Sequence, residues 1–177
     1  MSKVYPIFDQ SIVSKINPFI NGITKNSGNL FLSNLLGVED AIKLSNKNPI
    51  LVSLCEVPSE YHNISIHYLF SDVKDNNSSE STDKMNQYII KYVPLLVEKL
   101  LDGNDIIIHC EHGISRSPTF LAAMIYQISI NNNVIIKDVE EIIDHIKKYR
   151  NNKQLTDIKF NFYCLLAYYI SKGKLIN

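Results

Sequence analysis

Between Asp105 and Tyr126 the chain changes character twice, and that change constrains the fold more than anything else in the sequence. Asp105-Ile106-Ile107-Ile108 is a short β-branched apolar run, the pattern of a buried strand. Phe120-Leu121-Ala122-Ala123-Met124-Ile125-Tyr126 is strong helix material. Between them stands His109-Cys110-Glu111-His112-Gly113-Ile114-Ser115-Arg116-Ser117-Pro118-Thr119. Ser117 suits a helix N-cap, and Pro118 suits the first helical turn, where a missing N–H costs nothing. The stretch therefore reads as strand, tight loop and helix, with a cysteine ending the strand and an arginine just before the helix. Gly113 admits the positive φ that lets successive loop amides converge, and the helix N-terminus adds its partial positive charge. Arg116 can hold two oxygens of a tetrahedral anion at once. A cysteine is nucleophilic as thiolate, a form that cations and helix N-termini favour. The junction predicts an anion cradle with a thiol aimed into it.

The rest of the chain predicts the scaffold. Its 177 residues suffice for one domain with a substantial core. Asn29–Ser33, Ile50–Cys55 and Ile64–Leu69 read as strands, and Gly37–Leu44 as a short helix. Residues 71–81 are a polar loop. Ser81 or Thr82 is expected to cap the helix striped by Ile89, Val93, Leu96, Val97 and Leu100, in which Pro94 implies a kink or a later start. Ile135 to Ile146 and Ile158 to Ile170 carry two further helical stripes. The expected fold is α/β: a small, mostly parallel central sheet flanked by helices, with the phosphate-binding loop between a strand and a helix. Residues 1–28, interrupted by Pro6, Pro18, Gly22 and Gly28, form an N-terminal segment that packs on the core or exchanges with another chain, and 29–177 form the catalytic domain.

Composition narrows the setting. Lys plus Arg and Asp plus Glu number 18 each, so no basic field argues for nucleic acid or a membrane surface. No apolar run approaches the ~20 residues of a membrane span. The N-terminus lacks a signal-peptide core, and Ser2 stands where myristoylation needs a glycine. Three widely spaced cysteines make no disulfide framework, so the expected setting is reducing, cytoplasmic or nuclear. Arg116 and Arg150 are the two arginines among 18 basic residues, which suggests that a planar fork was needed at each. His109, Cys110 and His112 lie too close together for tetrahedral zinc without a second cluster, so neither metal nor cofactor is expected.

These residues together suit phosphoryl transfer: in-line attack by Cys110 Sγ on phosphorus, then hydrolysis of the cysteinyl phosphate. The run His-Cys-x-x-Gly-x-Ser-Arg-Ser-Pro-Thr, with Cys110 and Arg116 as its Cys-x5-Arg, resembles the signature of small dual-specificity phosphatases of the cysteine-based protein tyrosine phosphatase superfamily. The chain has no Trp, hence no Trp-Pro-Asp acid loop of the large tyrosine-specific enzymes. The resemblance implies removal of phosphate from phosphotyrosine and phosphoserine/threonine in proteins. It implies phosphate binding by Glu111, His112, Gly113, Ile114, Ser115 and Arg116, and thiolate departure eased by Ser117. His109 would support the cysteine through the loop, and Arg150 would contact a second phosphate or sit at a helix end. The general acid would be an Asp after the third strand: Asp72 fits that place best, Asp75 is the alternative, and Asp83 stands behind both. Ser53 occupies a position where many relatives carry Asn, and Cys55 is either a redox partner of Cys110 or a buried strand cysteine. Two other readings share these residues. His112-Gly113 occurs in phosphatases of RNA 5′ ends, although that branch continues Asn-Arg-Thr-Gly where this chain has Ser115-Arg116-Ser117-Pro118. A non-catalytic phosphopeptide-binding module would keep the cradle but typically loses the Cys, the Arg or the acid. Glu111 argues against phosphoinositides. A phosphorylated protein is the expected partner, with no nucleic acid and no membrane; the oligomeric state stays open.

Overall fold

The isoleucine run forms the middle of a five-stranded sheet. A computed structural model describes residues 10–16, 27–45, 48–64, 66–150 and 155–177. The strands are β1 (Val13–Ile16), β2 (Leu30–Asn34), β3 (Ile50–Ser53), β4 (His67–Leu69) and β5 (Ile106–Cys110), in spatial order β1-β2-β5-β3-β4. Strand β5 runs parallel to β2 and β3, β4 runs parallel to β3, and only β1 is antiparallel to its neighbour. A parallel centre must be covered on both faces, and β2, β3 and β5 are buried at every position and apolar at most of them. Alternation along β5 sends Ile106, Ile108 and Cys110 to the larger core and Ile107 to a smaller one with Phe31, Leu51, Val38 and Ala41.

Five helices complete the layers: α1 (Val38–Leu44), α2 (Ser79–Leu101), α3 (Arg116–Asn131), α4 (Val139–Tyr149) and α5 (Phe160–Lys172). Their buried stripes place α2–α5 on the larger core and α1 on the smaller. Helix α3 is buried almost all round, including Phe120, Leu121, Met124 and Ile125. Among the described residues no helix is long and apolar enough to cross a membrane.

The differences from expectation have local causes. Helix α2 begins at Ser79, because Ser78 accepts a hydrogen bond from the Ser81 amide (3.1 Å) and so takes the cap expected of Ser81 or Thr82. It continues through Pro94, which lies on the exposed face, where water can satisfy the carbonyl that a proline leaves bare. The stretch expected as a strand from Ile64 is shorter: Ser59–Asn63 is a 3-10 turn and β4 begins at His67. Strand β1 was not anticipated, since Ser14 and Lys15 interrupt its apolar pattern. It nevertheless pairs with β2 of the same chain, and Ile12 and Ile16 are buried in the core. Asn34 fastens that edge: its Oδ1 accepts from the Ile12 and Gly37 amides at 3.0 and 2.9 Å, and its Nδ2 donates to Gln10 O at 2.7 Å. Pro6, Pro18 and Gly22 lie outside the described residues.

Candidate active site

The loop after β5 is built from its carbonyls. Glu111 O accepts from the Leu35 amide (3.1 Å), Gly113 O from Arg150 Nη2 (2.6 Å), Ile114 O from the Asp157 amide (3.0 Å) and Ser115 O from the Thr119 amide (2.9 Å). In a trans peptide the N–H points opposite to the C=O, so each outward carbonyl turns the next amide inward. The amides of His112, Ile114, Ser115 and Arg116 are thereby aimed at the space above Cys110, and that of Gly113 donates to Sγ at 3.3 Å. Gly113 has φ +71°, and a Cβ there would meet Ser33 O at 3.0 Å, so both the turn and the close approach exclude a side chain. Helix α3 starts at Arg116, two residues earlier than a cap at Ser117 would place it; its N-cap is Ser115. The Ser115 hydroxyl instead accepts from the Lys159 amide at 3.0 Å. Ser117 is thus freed from capping, and its Oγ lies 3.2 Å from Cys110 Sγ.

Arg116 is buried, with an ordered division of its donors. Nη1 donates to Leu54 O (2.9 Å) and Val73 O (3.2 Å), tying the loop to the end of β3 and to the loop after β4. Nη2 lies 4.0 Å from the exposed Glu111 carboxylate, and Nε has no partner among the described residues. A buried guanidinium that leaves Nε unpaired retains the edge that grips two oxygens of an oxyanion.

Of the two readings of Arg150, a second-phosphate contact or a residue at a helix end, the structure places it at the end of α4 with its guanidinium turned inward. It is 6% exposed, and its guanidinium donates inward to Gly113 O, Leu155 O (3.1 Å) and Thr156 Oγ1 (2.9 Å). It braces the loop from behind. Burial lowers its pKa to about 10, opposed by attraction to Cys110. A positive charge thus stands behind the loop that carries the nucleophile.

His109 turns away from Cys110, as neighbours on a strand must. Its Nε2 lies 2.5 Å from Ser53 Oγ, which in turn lies 2.8 Å from His67 Nε2. Ser53 thus links His109 to His67. Burial lowers the His109 pKa to about 3, against a backbone hydrogen bond at Cys110 that favours the charged form, so the ring is neutral. Its Nδ1 lies 3.9 Å from Cys55 Sγ. Burial, followed by repulsion from Cys110, pushes the Cys55 thiol up to about 12.

The loop after β4 holds the two candidate acids, Asp72 and Asp75, in different surroundings. The Asp72 carboxylate accepts from Tyr88 Oη (2.5 Å) and pairs with Lys84 Nζ (3.5 Å). Tyr88 is itself stacked on Phe70, with ring centroids 4.1 Å apart. The Tyr88 hydrogen bond above all holds Asp72 below the usual carboxylate range, so it is an anion turned towards α2. Asp75 is exposed and lines a hollow of about 210 Å³ over Cys110, together with His112, Ile114, Ser115, Arg116, Asp157 and Lys159. Asp157 and Lys159 escaped sequence reading, because nothing in a loop preceding the last helix marks it as part of a site formed forty residues earlier.

The model of the dual specificity phosphatase catalytic domain matches residues 23–169. No curated protein sequence matches the chain. Among solved structures, human DUSP28 superposes with a TM-score of 0.57 at 14% identity, covering 81% of this chain and 88% of that one. A leucine rich repeat and phosphatase domain containing protein from Entamoeba histolytica gives 0.59 at 12% identity, covering 90% and 92%. OH1 from the Orf virus, a tyrosine phosphatase, gives 0.54 at 15%, covering 81% and 83%. At such identities the likeness to solved structures is one of fold. The family follows from the sequence match, which spans most of the chain and includes the whole cysteine–arginine loop: this chain belongs to the dual specificity phosphatase catalytic domain family.

Proposed function

We propose that the chain is a cysteine-dependent phosphatase that removes phosphate from both phosphotyrosine and phosphoserine/threonine in proteins. The observation that carries this reading is the buried Cys110 sulfur beneath inward amides and an Arg116 guanidinium whose Nε is unpaired. Cys110 Sγ, as thiolate, attacks phosphorus in line with the ester oxygen; the S–P bond forms as the P–O bond breaks. The loop amides and Arg116 hold the equatorial oxygens. Asp75 delivers a proton to the leaving oxygen, a role for which it is favoured over Asp72 because it faces the hollow and Asp72 is committed to Tyr88 and Lys84. Water then attacks the phosphocysteine, giving its proton to the Asp75 carboxylate. The Ser117 hydroxyl, 3.2 Å from Sγ, donates to the departing thiolate.

Dual specificity is supported by the walls of the hollow, which among the described residues include no Phe or Tyr to clamp a phenyl ring. The decisive measurement is phosphate release from phosphotyrosine and phosphothreonine peptides by the unsubstituted chain and by Cys110→Ser. Release from both, lost in Cys110→Ser, is expected. Phosphopeptide binding without Cys110-dependent release would make the chain a binding module, and faster release from RNA 5′-triphosphate ends would make it an RNA phosphatase.

A further inference from the structure

Two hollows flank the one over Cys110, and they differ in chemistry. On one side, a space of about 480 Å³ is lined mainly by charged groups, among them Glu56, Lys74, Asp75 and Glu111. On the other, an open groove of about 500 Å³ is lined by Ile158, Phe160 and Tyr163, and it shares Asp157 and Lys159 with the catalytic hollow. Phe160 is 75% exposed at the first residue of α5. The core-facing stripe of that helix is Phe162, Leu165, Leu166 and Tyr169, so the fold does not require an aromatic at 160. Ile158 and Tyr163 are half-buried against the core, so the exposed Phe160 ring extends an apolar wall that reaches from the core to the edge of the reactive centre.

The groove is also held in register with the phosphate loop. Asp157 and Lys159 donate their amides to Ile114 O and Ser115 Oγ, both at 3.0 Å. On the other side of Phe160, the Asn161 amide donates to Asn77 Oδ1 (3.2 Å) and its Nδ2 to Asn76 O (3.0 Å). Phe160 therefore stands between two fixed points, one on the phosphate loop and one on the loop that carries Asp75. The extended backbone advances about 3.3–3.6 Å per residue, so a group in this groove belongs to the immediate neighbours of the residue in the hollow.

We propose that the groove formed by Ile158, Phe160 and Tyr163 is a specificity site that receives an apolar side chain adjacent to the phosphorylated residue of a protein substrate; this rests on the phosphatase reading above. The occupant is the substrate's own chain, because the groove is continuous with the catalytic hollow through Asp157 and Lys159, which line both.

Binding separates this proposal from the reaction. Two phosphotyrosine peptides, one with Leu and one with Ser on both sides of the phosphotyrosine, are titrated by fluorescence anisotropy into full-length Cys110→Ser protein. The Leu peptide is expected to bind about fivefold more tightly, the effect of withdrawing about half a leucine side chain from water. Adding Phe160→Ser brings the ratio to about one, and Phe160→Leu in the same background restores it. Equal binding of the two peptides, binding of neither, or a ratio indifferent to Phe160→Ser overturns the proposal. So does a concentration-dependent dimer in sedimentation that Phe160→Ser abolishes, since the groove would then be covered by a second copy. The phosphatase reading fails separately, when the unsubstituted chain releases no phosphate from 4-nitrophenyl phosphate in a Cys110-dependent manner.

Discussion

Two loops meet at Arg116, and they are held by different means. Residues 111–115 are pinned through backbone carbonyls, by groups from four separate parts of the chain: Leu35, Thr119, Arg150 and Asp157. The loop after β4 is pinned at its ends, by the Phe70 amide on Ser53 O (2.7 Å), Arg116 Nη1 on Val73 O and Asn161 on Asn76 O. Between those points its side chains choose their own partners. Asp72 is tied off by Tyr88 and Lys84, whereas the Asp75 carboxylate accepts no hydrogen bond from the described residues. The first loop is a cradle held through its backbone; the second leaves the Asp75 side chain facing the hollow. A general acid needs that access, and an oxyanion cradle needs fixed donors.

The sharpest way to break the contrast is at the shared residue. Arg116→Lys keeps a charge but cannot hold two oxygens or bridge Leu54 O and Val73 O, so it damages both loops together. Phosphate release is expected to fall about 10³-fold. A loss below tenfold would mean that the fork is not what grips the anion. Next, Asp75→Asn lowers kcat on a phosphothreonine peptide about 10²-fold and removes the alkaline limb of the pH profile, where an acid must have lost its proton. The same substitution at Asp72 leaves that limb in place. The reverse pattern would return the role to Asp72.

These two aspartates also mark the limit of what the sequence could tell. The cradle is legible because each of its residues acts through its own backbone or at a fixed spacing. A positive φ at Gly113, an arginine at the helix start and a thiol at the strand end need no distant partner. The parallel sheet is legible for a similar reason, since strands apolar on both faces announce burial. What escaped depends on long-range contacts. Tyr88 sits two turns into α2, and nothing in its position says that it reaches back to Asp72. Arg150 looks like a surface arginine at a helix end until the loop it braces is folded over it. Strand β1 earns its place only by pairing with β2.

The underside of the cradle yields a smaller effect, read in stability. His109 titrates near 6.5 in the unfolded chain and at about 3 when folded, because burial disfavours its charge. Its contribution is fully present above about pH 6.5 and is lost as the pH falls towards 3, since the unfolded state then binds the extra proton. Between pH 7 and pH 5 this amounts to about 2 kcal/mol, measurable by urea unfolding. His109→Asn, which has no proton to gain, shows a shallower decline, and equal declines would place the pH sensitivity elsewhere.

The smallest effect tests whether Asp72 is purely a structural anchor. Its carboxyl is held below the usual carboxylate range, first by Tyr88 and then, among other causes, by Lys84. Its side chain is 46% exposed, so solvent screens the pair and the contribution is below about 1 kcal/mol. The sign follows from the depressed value. Stability from this group is present above pH ~4 and is lost as the pH falls through the folded value, where the native carboxyl takes up its proton. Asp72→Asn keeps an acceptor for the Tyr88 hydroxyl and removes only the charge. The variant should unfold slightly more easily than the parent at pH 6 and by a smaller margin at pH 2.5, with its phosphate release within about twofold of the parent's. A difference in stability that persists undiminished at pH 2.5 would show that the Asp72 contact acts by shape rather than by charge. The loop after β4 would then resemble the cradle it faces, held by geometry alone.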